Sequence, residues 1–269
     1  MLAATQGKNL RRALMKTFLI RHRNGFLLAL QFLTILPVGQ LRVDDEDQLS
    51  LSVLYYPLVG AVIGVFLVAC ALLSEGLFSP LLAAVIIVAL WLAITGALHM
   101  DGLADSADAW MGGLGSRSRT LALMKDPTCG PVAVATVVLV LLLKVAAIAQ
   151  LLAFGTFFAL LWVPVLARMS LLLLLLSTPY VRAGGLAESL LRQFSAPAAV
   201  AVCLLVSLLL LLNLATVGAW MMVCLAVVTV YLRQLMMQRL DGCTGDTLGA
   251  AAELAEVALL LVLVASVAN

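Results

Sequence analysis

Residues Leu81 to Asp108 read LLAAVIIVALWLAITGAL and then HMDGLADSAD. The first part, Leu81 to Leu98, has no charged residue and is long enough to cross a bilayer. The second part, His99 to Asp108, carries Asp101, Asp105 and Asp108. On a helix these three fall at roughly 0°, 40° and 340°, which is one face. Like charges on one face repel and weaken a helix, yet hard cations such as Mg²⁺ want carboxylate oxygens. One acid at a helix N-terminus is explained by the helix dipole alone. Three, beside a membrane span, favour a metal or phosphate site.

A second stretch answers it from the far end of the chain. Asp241 to Glu256 reads DGCTGDTLGAAAELAE. On a helix starting near Asp246, that residue, Gly249, Glu253 and Glu256 lie within about 80° of one another. Glycines leave such a face open to a ligand or to a neighbouring helix.

Composition bounds the rest. Of 269 residues, 64% are hydrophobic and 11% are charged, and the mean hydropathy is +1.15. This excludes an ordinary soluble domain and points to an all-α, polytopic membrane bundle. The net charge of +2 comes without a basic, aromatic-rich patch, so no nucleic acid is expected as a partner. Five cysteines have no paired spacing, which argues against a disulfide framework or a zinc motif.

The chain divides into a basic tail, 1–24, and a single membrane domain, 25–269. The tail carries Lys8, Arg11, Arg12, Lys16, Arg21 and Arg23 and no acid, as a mobile cytosolic segment beside anionic lipid would. Phe26 to Val38 is expected as a short interfacial or re-entrant helix ended by Pro37. About seven spans follow: Leu54–Leu73, Leu81–Leu98, Val132–Leu152, Phe157–Leu176, Ala198–Leu214, Ala219–Leu235 and Leu248–Val267. The last hairpin is expected to turn near Gly218. Gly60 and Gly64 form a small-residue packing face, which leaves a homo-oligomer open. The acids at Asp44, Asp45, Glu46 and Asp47 read as a solvated loop. With the tail in the cytosol, the tail and the loops on its side hold thirteen of the 16 basic residues. The same topology places both acidic motifs on the cytosolic face. Lys144 and Arg168 lie inside spans, where charges are costly and face a bundle interior. They can pair with the motif carboxylates or with a substrate phosphate, which arginine suits in particular.

Two carboxylate faces and interior cations suit metal-assisted phosphoryl transfer. A free carboxylate or His99 is placed to take the proton of an attacking hydroxyl.

The wording of the motifs sharpens this. His99 to Asp108, Met124-Lys125-Asp126 and above all Leu240 to Glu256 closely resemble the cobalamin synthase family, the adenosylcobinamide-GDP ribazoletransferases. The resemblance extends to Gln31–Pro37, Tyr56–Gly60, Lys144, Ala167-Arg168 and Arg182–Leu186, and so covers nearly the whole chain from Phe26. It implies a multi-pass enzyme of the bacterial inner membrane with a cytosolic active site. Its substrates would be adenosylcobinamide-GDP and α-ribazole or its 5′-phosphate, its leaving group GMP and its cofactor Mg²⁺. The implied catalytic residues are His99, Asp101, Asp105, Arg168 and Glu253. The implied metal ligands are Asp101, Asp105, Asp108, Asp246, Glu253 and Glu256. Lys144, Arg182, Gly242, Gly245 and Gly249 would contact the ligand. Two departures stand out: the family tends to carry Asp-Ser-Arg-x-Gly where this chain has Asp126-Pro127-Thr128-Cys129-Gly130, and Gly where it has Ala109.

Two other readings compete. A CDP-alcohol phosphatidyltransferase would use similar chemistry, but Leu98 stands where the first Asp of its pattern belongs, and Asp105-Ser106 where Ala-Arg belongs. An ion-coupled transporter would place its acids near the bilayer midplane on broken helices, whereas here they gather at span ends.

Overall fold

The computed structural model describes residues 2–39, 46–182 and 194–267. The described residues form helices and no strand. Helices α1 (Leu2–Leu33), α2 (Glu46–Val53), α3 (Tyr56–Ser74) and α4 (Pro80–Thr95) are followed by α5 (Leu98–Gly112), α6 (Arg117–Leu123) and α7 (Pro131–Ala153). A 3₁₀ turn at Phe157–Leu161 leads into α8 (Trp162–Ser177), then come α9 (Ala196–Leu240) and α10 (Gly245–Val267). Asp44, Asp45 and most of the connection after Arg182 lie outside the described residues.

The apolar segments expected as spans are helical. Five helices are long and apolar enough to cross a bilayer by themselves, and α4 with α5 makes a sixth, bent by 91°. Helix α9 has 45 residues, and a straight helix of that length would reach about 68 Å against a hydrocarbon core of about 30 Å. It folds back instead. Ala215 sits at φ 41 and ψ −114, and a Cβ on Gly218 would lie 3.1 Å from the Leu210 carbonyl. Counting its arms 196–214 and 216–240 separately gives the seven spans expected. The turn comes three residues before Gly218, which serves as the crossing point of the arms.

The N-terminus differs from expectation. A mobile tail and a short helix over Phe26–Val38 were expected, but α1 is one helix of 32 residues. Leucine, alanine, lysine and arginine favour helix, and no proline interrupts them before Pro37. The helix stops at Thr34, whose hydroxyl donates back to the Leu30 carbonyl at 2.7 Å. The Ile35 N–H then donates to Ile94 at 2.9 Å, which docks the chain on the end of α4.

Close backbone approaches set the packing. Added Cβ atoms on Gly60 and Gly64 of α3 would run into the carbonyls of Pro164 and Leu161, so that small-residue face is spent inside the chain, against α8 and the 3₁₀ turn before it. The run from Leu81 does not continue into the acidic motif. Gly96 and Ala97 both adopt left-handed backbone, at φ 58 and φ 53, and turn α5 sharply away from α4. For Ala97 this costs about 1–2 kcal/mol, held in place by its N–H bond to the Leu92 carbonyl at 3.0 Å. Helix α5 then crosses α10 backbone to backbone at two glycines. A Cβ on Gly102 would sit 2.7 Å from the Asp246 carbonyl, and one on Gly249 would sit 3.2 Å from the His99 Cα and carbonyl.

These two distances rank two substitutions. Gly102→Ala meets rigid backbone and should cost about 1–3 kcal/mol through overpacking. Gly249→Ala needs a shift of only a few tenths of an ångström and should cost less. Thermal unfolding in detergent should show a lower melting temperature for Gly102→Ala than for Gly249→Ala. Equal melting temperatures would contradict this seam.

Candidate active site

The C-terminal motif is built by a turn. Asp241 caps α9 in left-handed backbone at φ 55. Val181 N–H then donates to the Cys243 carbonyl at 2.9 Å, and Cys243 N–H donates to the Pro179 carbonyl at 2.8 Å. Only glycine fits at 242, because a Cβ there would strike the Pro179 carbonyl. This pairing brings Arg182 to Asp246, with Nη1 to Oδ2 at 2.8 Å. Helix α10 opens with a reciprocal cap: Thr244 N–H donates to Thr247 Oγ1 at 2.9 Å, and Thr247 N–H donates to Thr244 Oγ1 at 3.2 Å. Asp246 lies in the first turn, at the positive end of the helix dipole.

The α5–α10 seam sets Asp246 beside the first motif. His99, Asp101 and Asp246 line a cavity of about 160 Å³ whose apolar wall includes Phe32, Tyr56 and Leu171. The Phe32 and Tyr56 rings stack at 6.2 Å. A second cavity, of about 150 Å³, is lined by Lys125, Arg182 and again Asp246. Asp105 stands close by, on a helix that has already turned out of the span. Partial burial, with the charges of Asp101 and Asp246, pushes its carboxyl up to about 6 against the opposing pull of Arg182. The acids of this group therefore repel one another, and Arg182 is the one cation ion-paired to any of them among the described residues.

Other expected site residues are committed elsewhere. Both oxygens of Asp108 accept backbone N–H groups at the start of α7, from Gly130 at 2.5 Å and Ala133 at 2.9 Å. Asp108 thus caps α7 and ties it to α5. Asp126 accepts from its own loop, from Thr128 N–H at 2.9 Å and Thr128 Oγ1 at 2.6 Å. Gly242 and Gly249 serve close packing, and Gly245 alone of the three has open space beside it.

Glu253 and Glu256 face inward, two to three turns below Asp246. Lys144 Nζ bonds Glu253 at 2.6 Å and also bonds Glu256. Arg168 Nη1 bonds Glu256, and its Nη2 lies 3.2 Å from His99 Nδ1. Lys144 also stands over the Trp91 ring, 4.4 Å from its centroid. Lys144 and Arg168 are 2% and 0% exposed, so neither reaches the cavity as a phosphate ligand would. Their partners are the motif carboxylates, because a charge in an apolar bundle must be paired where it lies.

Of the expected metal ligands, Asp101, Asp105 and Asp246 lie outside the buried network and the α7 cap, Asp246 with Arg182 beside it. Among the described residues, no three His, Cys, Asp or Glu side chains stand together as a ready metal cage. The donor chemistry of Asp101, Asp105 and Asp246 nevertheless fits Mg²⁺, which takes one or two carboxylates and completes its shell with water and substrate phosphate.

Phe32 and Tyr56 were not singled out from the sequence. Both lay in segments shared with the resembled family, but an aromatic in an apolar run gives no sign that it lines a cavity.

Removing one member of the inner network should expose its cost. Lys144→Met leaves Glu253 without its cation and should destabilise by about 3–5 kcal/mol. Adding Glu253→Gln should recover part of that loss, as read from melting temperatures of the single and double variants. Strict additivity would show that the pair does not act as a unit.

Comparison with known proteins identifies the family. A model of the cobalamin-5-phosphate synthase family matches residues 25–264. A Pseudomonas putida adenosylcobinamide-GDP ribazoletransferase is 48% identical over 236 residues, covering 88% of this chain and 96% of the relative. The Pseudomonas aeruginosa protein of the same name is 49% identical over 239 residues, covering 89% and 97%. No solved structure matches the chain. With a helical membrane bundle, both acidic motifs on one seam and relatives matched almost end to end, the chain belongs to the cobalamin-5-phosphate synthase family.

Proposed function

We propose that this protein joins adenosylcobinamide-GDP to α-ribazole or its 5′-phosphate and releases GMP, the last assembly step of cobalamin or its 5′-phosphate. The observation that carries this reading is the seam at Gly102 and Gly249, which sets Asp101 and Asp105 beside Asp246 and Arg182. The printed names of relatives at 46–49% identity supply the substrates.

The residues divide the work. Arg182 offers the guanidinium suited to a diphosphate oxygen. Mg²⁺ held by Asp101, Asp105 and Asp246 would neutralise phosphate charge and orient the leaving oxygen. A ribose hydroxyl of the acceptor forms a new bond to the phosphorus that carries cobinamide. The bond from that phosphorus to the bridging oxygen breaks, and GMP leaves with that oxygen. The hydroxyl proton passes to a carboxylate of the cluster or to water. The wall of Phe32, Tyr56 and Leu171 keeps bulk water from one side of the cavity. Positive-inside counting supports a site on the cytosolic face of the inner membrane.

GMP release by detergent-solubilised protein tests the reading. With adenosylcobinamide-GDP, α-ribazole and Mg²⁺, wild type should turn over, and Asp101→Asn and Asp246→Asn should each lose at least about 100-fold. Turnover of CDP-activated lipids in place of these substrates would overturn it.

Asp105 gives a separate check. Its carboxyl titrates higher in the folded protein than its usual 3.8, at about 6. Its ionised form is therefore disfavoured by folding, and stability falls as pH rises from about 4 to about 6. Metal-free Asp105→Asn should melt higher than wild type above pH 6 and match it near pH 4. Mg²⁺ should raise the melting temperature of wild type more than that of the variant.

A further inference from the structure

The inner network fixes the state of one ring in the cavity. Arg168 donates and cannot accept, since guanidinium nitrogens carry only N–H groups. Its Nη2 lies 3.2 Å from His99 Nδ1, so Nδ1 must be the accepting nitrogen and carries no proton. A neutral imidazole then holds its proton on Nε2.

The Nε2 atom is the free end of this chain of bonds. It has no hydrogen-bond partner among the described residues and is not among their fully enclosed unpartnered polar atoms. His99 is 5% exposed and lines the cavity together with Asp101 and Asp246.

We infer that His99 is held by Arg168 as its Nε2–H tautomer and donates a hydrogen bond to a phosphoryl oxygen in this cavity, rather than taking the proton of the attacking hydroxyl. The inference rests on the transferase reading for the identity of the oxygen, but not for the tautomer. A neutral donor suits the task. It meets negative charge as that charge shifts during transfer and does not compete for the proton that a carboxylate takes. Arg168 and Glu256 are positioning residues: they touch no substrate and act through the ring.

The chain has two histidines, so a His22→Gln background leaves His99 alone. Nitrogen NMR of this ¹⁵N-histidine-labelled full-length protein in nanodiscs at pH 7.5 should show one protonated ring nitrogen, Nε2. Adding inorganic diphosphate with Mg²⁺ should shift that resonance. A ring protonated on Nδ1 or on both nitrogens, or an Nε2 signal indifferent to diphosphate, would overturn the inference. Kinetics provide a second arm. His99→Gln keeps a donor near the Nε2 position and should hold GMP release within about tenfold of wild type. His99→Ala and His99→Glu should fall by about 100- to 1,000-fold, the usual cost of losing one preorganised donor. Gln no better than Ala would also overturn it. If no protein releases GMP while the NMR results stand, the transferase reading falls and the donor assignment survives.

Discussion

Four buried charges constrain everything else in this bundle. Glu253 and Glu256 project from α10 into apolar surroundings and must meet cations there. Lys144 comes from α7 and Arg168 from α8, while Trp91 of α4 lies under the lysine and His99 of α5 receives the arginine. Five helices are thereby locked at one level. A slip of α10 by one turn would move both carboxylates about 5.4 Å and strand charges on both sides. Such networks add little net stability over an apolar core, but an unmatched member costs several kcal/mol. Their value here is register.

Register matters because α10 works at two levels. Its inner residues, Glu253 and Glu256, are paired, while its first turn carries Asp246 to the cavity. The helix links the two rigidly. At the outer level the balance is different: Asp101, Asp105 and Asp246 crowd together with a single ion-paired arginine. Acids that the fold needs are matched by cations or caps, as Glu253, Glu256 and Asp108 are. Acids left in mutual repulsion store an affinity for positive charge. The split between the two groups separates acids locked into the fold from acids that lie at the cavities.

The span pattern was legible because it is one-dimensional. Apolar runs of bilayer length declare themselves, and helical spacing put Asp101 and Asp105 on one face, and Asp246 with Glu253 and Glu256 on another. Spacing also showed that Lys144 and Arg168 needed partners, but not which ones, since a partner 109 residues away leaves no local trace. Asp108 shares the face of its neighbours and was read with them. Only the approach of the α7 N-terminus turns it into a cap. The break at Gly96 and Ala97 was missed because Ala97 adopts a backbone that alanine rarely takes. Its cause is the docking of α5 on α10, a tertiary demand.

The N-terminal helix makes the same point about local and tertiary information. The family match begins at residue 25, yet α1 runs through that position without interruption. Residues before it still touch the body of the protein. Phe18 packs on His22 with ring centroids 4.0 Å apart, and His22 Nδ1 lies 2.5 Å from the Tyr55 hydroxyl. Tyr55 immediately precedes Tyr56, which stacks on Phe32 in the cavity wall. Phe32 belongs to α1 itself. Helix α1 is therefore braced on the start of α3 at His22 and at Phe32, and because a helix is stiff over this length, tilting its N-terminal end would move Phe32.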